Sequence, residues 1–239
     1  VNPSVLIEQK LARKWALSAN AEWMSADGHY PYTLYYGDKD DLTSREKRKN
    51  TQVESLRAEA GLFGNLSDNE QWRLKAYYYQ SSRGLPNATT FFANQHLWDK
   101  NTFVQSQYKK EFNRKWAFQA SAKWNWSYQR YLNPDYASSA GKEDNSYYQQ
   151  EYYLSASALY RVLDNLSFSL STVGSINTLN ANLTDFAYPT RYSWLTALAG
   201  KYVNEWLTLS ASALATVTNE KVQQGTKADN HRRLTPYVS

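Results

Sequence analysis

The chain has 239 residues, a formal net charge of +5 and 15% aromatic residues, and its longest unbroken apolar run is only four residues. A transmembrane helix needs about 20 consecutive apolar residues, so the short apolar run excludes one. A disordered chain contains few apolar residues, so the 42% hydrophobic content excludes disorder. The absence of cysteine excludes disulfides and thiolate sites, and the scattered basic residues predict no nucleic-acid partner.

One pattern recurs five times along the chain: an alternating strand, a short polar turn and a second alternating strand. The predicted turns lie at 12–15, 65–72, 113–116, 163–166 and 203–206. The second strands are predicted to begin at Trp15, Trp72, Trp116, Leu166 and Trp206. This pattern predicts an all-β protein with about ten antiparallel, up-and-down strands.

Apolar and polar side chains alternate within these strands. From Trp116 to Tyr128 the even positions hold aromatic residues or Ala, while the odd positions are mostly Gln, Ser, Lys or Asn. Successive side chains of a strand point to opposite faces, so one face is apolar and the other polar. Aromatic residues occur at the ends of the apolar face with Ala or Leu between them, as in the interfacial girdles of a transmembrane barrel.

The connections between hairpins are predicted to be long, unlike the turns within them. They cover about 25–50, 81–101, 130–145, 174–190 and 218–233. Short turns at one end and long loops at the other are typical of an outer-membrane β-barrel. The alternative is a soluble β-sandwich or clam-like barrel, in which the aromatic residues form the core; in a sandwich, turn signals recur every 8–12 residues.

The segment 232–239 reads as the start of an eleventh strand after a long loop. An open sheet would expose unpaired backbone groups in lipid, so further strands are expected. We therefore interpret residues 1–239 as one partial transmembrane β-barrel domain of a 22-stranded barrel, without its plug domain and remaining strands. The alternative is a small self-contained outer-membrane barrel that acts as a passive pore or structural protein.

Two neighbouring segments resemble a known family. Residues 81–88 read SSRGLPNA and residues 95–105 read QHLWDKNTFVQ. They resemble the "GLPGA" loop and the "QRLWDKNFF" strand start in the barrels of TonB-dependent outer-membrane receptors from Bacteroidetes, especially those similar to the vitamin B12 receptor. Asn87 and His96 depart from this pattern, where Gly and Arg are more usual.

This resemblance implies active import across the outer membrane, with the chain passing through the membrane many times. Such receptors bind a scarce nutrient at extracellular loops and pass it through a plugged barrel, driven by TonB, which contacts the N-terminal plug. The resemblance suggests cobalamin as the first candidate nutrient and a siderophore or haem as the next. It also suggests outer-membrane lipid and a surface lipoprotein as further partners. No cofactor is expected, and no functional residue of the family carries over to this chain.

Aromatic side chains in two predicted extracellular loops are the candidate ligand-binding residues. Rings offer a large, rigid contact surface for a bulky ligand. The candidates are Tyr30, Tyr32, Tyr35, Tyr36, Phe91, Phe92 and Trp98. They could equally belong to the outer girdle or pack within the loops. The predicted lumen wall contains Glu22, Arg57, Glu59, Arg73, Lys75, Gln119 and Lys123.

Catalysis is not expected from this sequence. His29, His96 and His231 fall in three different predicted loops, which favours solvated histidines over a metal cluster. The acidic segment 38–41 lacks the spacing of a calcium loop. No G-x-S-x-G motif occurs, although an outer-membrane phospholipase or protease remains an enzyme alternative.

Overall fold

The computed structural model describes residues 1–35, 43–86, 88, 93–137 and 141–239. Every regular element in these ranges is a β-strand, which confirms the all-β prediction. No helix in the described part is long and apolar enough to cross a membrane. The strands are β1 (Ser4–Ala12), β2 (Trp15–Ala26), β3 (Pro31–Tyr35), β4 (Thr43–Lys47), β5 (Val53–Ser67), β6 (Glu70–Leu85), β7 (Gln95–Glu111), β8 (Trp116–Asn133), β9 (Glu143–Leu163), β10 (Leu166–Ala181), β11 (Thr190–Val203), β12 (Thr208–Lys221) and β13 (His231–Val238).

Eleven of these strands form a single antiparallel sheet. Its order is β1-β2-β5-β6-β7-β8-β9-β10-β11-β12-β13, an up-and-down meander. The sheet forms part of a barrel, and its edge strands β1 and β13 do not pair with each other to close it. β3 and β4 pair separately as a hairpin within the connection between β2 and β5. The predicted eleventh strand is confirmed, since β13 pairs with β12.

Short turns join the sheet strands at one end, here called the turn end. The turns before β2, β8 and β10 fall where the sequence predicted them. Before β8, the side-chain oxygen of Asn113 accepts hydrogen bonds from the backbone N–H groups of Lys115 and Trp116, at 2.8 and 2.9 Å. Asn commonly closes turns through such contacts.

Two predicted strand starts were wrong. β6 begins at Glu70, two residues before Trp72, because the ladder with β5 continues almost to the turn. β12 begins two residues after Trp206, because the N–H of Asn204 bonds to the carbonyl of Leu207 at 2.7 Å and closes the turn around the tryptophan. Local turn geometry therefore overrides the tryptophan pattern.

At the other end, here called the loop end, four of the five connections are shorter than predicted because the strands are longer, whereas the first, 27–52, keeps its predicted length. β9 alone has 21 residues. The strands are separated there by 86–94, 134–142, 182–189 and 222–230. The alternation of apolar and polar side chains fades where both faces of a strand become polar. Backbone pairing continues there, because it needs no apolar face.

The register places apolar side chains together across neighbouring strands, which confirms the predicted two-faced sheet. Phe118, Ala120 and Ala122 of β8 lie opposite Ala158, Ala156 and Leu154 of β9, respectively. Leu170 continues the apolar face into β10, where it lies opposite Ala158. The polar face holds the intervening residues of the same strands.

Aromatic rings cover glycines on the apolar face near the turn end. A Cβ on Gly64 would lie 2.7 Å from the ring of Trp15, and one on Gly200 would lie 3.0 Å from the ring of Phe168. Each pair is directly opposite in the register of its two strands. The absence of a side chain lets the ring lie flat against the sheet.

The sheet leaves its apolar face uncovered. Leu154, Leu170 and Leu198 expose 62%, 51% and 55% of their surface, whereas Ala93 and Ala181 are the buried apolar residues of the described ranges. A β-sandwich would cover this face with a second sheet. The second sheet within those ranges is just the β3–β4 hairpin, so the arrangement is not a sandwich.

Candidate functional site

Ion pairs connect neighbouring strands on the polar face. Glu59 of β5 lies 2.5 Å from the guanidinium of Arg57 and 2.8 Å from the ammonium of Lys75 on β6. Farther along the sheet, Lys123 lies 3.9 Å from Glu151. The predicted lumen residues Arg57, Glu59, Lys75 and Lys123 therefore share one charged, hydrated face.

Aromatic rings also lie on this polar face, and the sequence analysis missed them. Tyr77 and Phe103 stack with their ring centres 5.0 Å apart, and the ammonium of Lys123 lies 5.4 Å from the Phe103 ring. Both rings occupy positions that alternate with the residues of the apolar face. This parity was the signal in the sequence that they lie on the polar face. The wall thus combines rings with charges, a surface suited to contact with polar and aromatic groups.

The three predicted ligand-binding tyrosines that the structure describes lie on or beside the β3–β4 hairpin. Tyr32 and Tyr35 belong to β3, and Tyr30 precedes it, with its carbonyl accepting a 2.9 Å hydrogen bond from the N–H of Arg48. Tyr30 and Tyr35 expose 56% and 65% of their surface. These two rings are accessible to a ligand at the loop end.

Three of the other candidates, Tyr36, Phe91 and Phe92, lie outside the described residues, as does the acidic segment 38–41. No group of three His, Asp or Glu side chains that could hold a metal ion occurs in the described ranges. Ligand binding by the three aromatic residues stays a prediction.

Trp98 was predicted in a loop but lies within strand β7. Its register places it opposite Arg130, on the face that carries the apolar residues nearer the turn end. The Trp98 ring packs 4.1 Å from the ring of His96 and 5.0 Å from the guanidinium of Arg130. Trp98 therefore belongs to a packed cluster on a strand, and its role in ligand binding stays a prediction.

The predicted loop positions of two histidines were also wrong. His96 lies in β7, where its Nε2 is 2.8 Å from the hydroxyl of Ser82, and His231 begins β13. Both strands extend farther toward the loop end than the alternation indicated. Burial beside Trp98 lowers the pKa of His96. His96 lies nearer the loop end than the aromatic residues that mark the edge of the apolar band.

A bidentate ion pair joins β8 and β9 at the loop end. Arg130 donates two hydrogen bonds of 2.7 Å to the carboxylate of Asp144. This hydrogen bonding, together with the guanidinium charge, lowers the pKa of Asp144. The pair lies beyond Tyr128 and Tyr148, whose rings are 4.8 Å apart, tilted by 41° to each other, and mark the edge of the apolar band.

Asn50 fixes the base of two loop-end connections. Its side-chain amide lies within hydrogen-bonding distance of the carbonyls of Leu85, Ala93 and Gln95, at 3.1, 2.9 and 2.7 Å. Asn50 has a φ of 56°, a left-handed conformation that Asn tolerates better than most residues. A Cβ on Gly84 would lie 2.3 Å from the Asn50 side-chain oxygen, so this close approach requires glycine. The connection that carries the hairpin is thereby anchored to β6 and β7.

Comparison with known proteins identifies a structural neighbour. No protein-family model and no curated protein matches the chain. The fold is similar to the crystal structure of the ferric-catecholate import receptor Fiu from E. coli K12 in its closed form, with a TM-score of 0.59 and 7% sequence identity. The alignment covers 99% of this chain but 44% of that receptor, so the chain spans less than half of the receptor's length. At this identity the likeness establishes a shared barrel-type β fold.

Proposed function

We propose that the chain forms part of the barrel wall of an outer-membrane receptor that imports a bulky nutrient with energy supplied through TonB. The observation that carries this proposal is the single sheet with an uncovered apolar face and a charged opposite face. Burying one large apolar side chain contributes about 1.5–3 kcal/mol. Contact with lipid would provide that burial for the whole face, while the polar face would enclose a hydrated lumen.

The ligand class is inferred from the loop end. Tyr30 and Tyr35 expose their rings there, and a rigid aromatic surface suits a large, partly planar ligand. The sequence resemblance favours cobalamin, and the name of the structural neighbour favours a ferric catecholate. We propose cobalamin first and a ferric siderophore next, with the N-terminal plug and a surface lipoprotein as further partners.

Uptake by intact cells tests this proposal. We expect cells that produce the whole protein to accumulate cyanocobalamin saturably, and to lose this uptake when TonB is deleted. Saturable uptake of a ferric catecholate instead would retain the transport function and replace the ligand. Non-selective conductance in a planar bilayer without any TonB-dependent uptake would support the passive pore.

We propose binding and transport rather than catalysis. The hydrogen bond between Ser82 and His96 is the arrangement closest to a catalytic pair that the described residues offer. Asp99 lies on the other face, where it accepts hydrogen bonds from Ser81 and Arg83 at 3.3 and 2.8 Å, so it does not orient His96. Esterase activity that disappears in Ser82→Ala would overturn this part of the proposal.

A further inference from the structure

The apolar face contains a cavity of about 690 Å³ across strands β7 to β12. Its lining includes Trp124, Tyr152, Leu154, Gly174 and Trp194. Leu154 and Trp194 expose 62% and 57% of their surface, so the cavity is open to whatever surrounds this face.

Fixed aromatic rings form the rim of this cavity, and glycine forms part of its floor. The indole N–H of Trp194 donates a 3.0 Å hydrogen bond to Thr196, and the Tyr152 hydroxyl donates one of 3.0 Å to Gln150. Gly174 lies opposite both Leu154 and Trp194, and a Cβ there would be 3.3 Å from the Trp194 ring. The cavity is therefore held open in advance of any ligand.

A cation lies at the loop end of the cavity. The ammonium of Lys221 is 5.7 Å from the centre of the Tyr192 ring, and Tyr192 lines the cavity together with Asn219. Glu220, the neighbour of Lys221, pairs with Arg191 at 2.9 Å on the other face. In the part of the chain that the structure describes, no carboxylate forms an ion pair with Lys221. An apolar cavity with one cation at its edge matches a ligand with an apolar chain and an anionic head.

We propose that this cavity binds a lipid with an anionic, phosphate-bearing head, with an acyl chain between Tyr152 and Trp194 and the phosphate beside Lys221. The inference rests on the proposed outer-membrane location of the apolar face. A lysine beside the phosphate favours a headgroup with a net negative charge over one that also contains a choline. The positive choline would repel Lys221 and offset its attraction to the phosphate. The bound lipid would cover six strands and stabilise their mutual arrangement.

Lipid binding to the whole protein in mild detergent, followed by native mass spectrometry, tests the proposal. The probes are phosphatidylglycerol and phosphatidylcholine with matched acyl chains. One basic residue near a membrane surface contributes about 1 kcal/mol to the binding of anionic lipid. We therefore expect Lys221→Gln to weaken phosphatidylglycerol binding about fivefold and to remove its advantage over phosphatidylcholine.

A second variant removes the cavity and keeps the apolar character of the face. Leu154→Trp fills the cavity from an exposed position, and we expect it to weaken binding of both lipids about fivefold or more. Lys100→Gln and Leu170→Trp are the matched controls, since both residues lie on the same face outside the cavity lining. We expect binding by these controls to stay within about twofold of the parent protein, since they leave the site intact.

Two results would overturn the inference. Equal binding of the two lipids by the parent and all variants would indicate non-specific lipid contact, and a dimer that Leu154→Trp abolishes would indicate a second copy on this face. Nutrient uptake by the parent protein is measured in parallel. Variant-sensitive lipid binding without uptake would reject the transport proposal and leave the lipid site standing.

Discussion

Strands β8 and β9 pass through two different surroundings along a single backbone ladder. In the middle of the apolar band Ala120 lies opposite Ala156, whereas toward the loop end Arg130 pairs with Asp144 through two 2.7 Å hydrogen bonds. The first region relies on apolar surroundings, and the second on directed contacts between charged side chains. Strand pairing therefore continues across a complete change of side-chain chemistry, because the ladder uses backbone groups.

The largest effect is expected from a charge at the middle of the apolar band. A basic side chain at the bilayer midplane destabilises a barrel by about 2–4 kcal/mol, so Ala156→Lys should lower the free energy of unfolding by that amount. Urea titration of the whole protein in lipid vesicles measures it. The control is Ser155→Lys, because Ser155 lies opposite Ser121 on the polar face. This variant should change the free energy of unfolding little. Equal losses in the two variants would show that the faces are assigned wrongly.

The next effect concerns the loop-end anchor. Asn50→Ala removes the amide contacts to Leu85, Ala93 and Gln95 and places Ala in a left-handed conformation. Together these changes should cost about 2–3 kcal/mol of local stability. Amide hydrogen exchange at the ends of β6 and β7 measures the loss.

Asn50→Gly separates the two causes of that loss. Glycine tolerates the left-handed conformation, so this variant loses only the amide contacts and should recover about 1 kcal/mol relative to Ala. Exchange rates that do not differ from the parent in either variant would mean that Asn50 anchors nothing.

A smaller effect is expected from the ion pair at the loop end. The Arg130 and Asp144 side chains are 39% and 23% exposed, so solvent screens their attraction. A double-mutant cycle with Arg130→Met and Asp144→Asn should give a coupling of about 1 kcal/mol or less. A coupling of zero would mean that stacking on Trp98 alone holds Arg130.

The smallest effect is a pH dependence of the same pair. The pKa of Asp144 is lowered from its usual 3.8 by Arg130, so the stabilisation is present above that value and is lost as pH falls through the lowered pKa. The protection factors of backbone amides at the loop end of β8 and β9, corrected for the intrinsic exchange rate at each pH, should fall on acidification below about pH 4 more in the parent than in Asp144→Asn. Identical pH profiles would contradict the role of Asp144.

Alternation in the sequence predicted the sheet and its two faces but located the candidate site only in part. Trp98 and His96 fall within the predicted connection 81–101, where the alternation is not evident, yet both pair with β8. Tyr77 and Phe103 occupy polar-face positions and were overlooked because each adjoins apolar residues of the other face, so that the local alternation does not show which face they lie on. Tyr30, Tyr32 and Tyr35 fell in the predicted connection, where their sequence gave no sign of a hairpin.

The amino-acid pattern was sufficient to predict the strand class, the meander and the two chemical faces, because the period of two follows from the geometry of each strand and needs no distant partner. The strand lengths, the anchor at Asn50 and the cavity beside Lys221 became evident only from the three-dimensional arrangement of the strands. Each of these depends on the register between strands far apart in the chain. A shift of one residue would move Trp194 away from Gly174 and onto the other face, and no local pattern encodes that alignment.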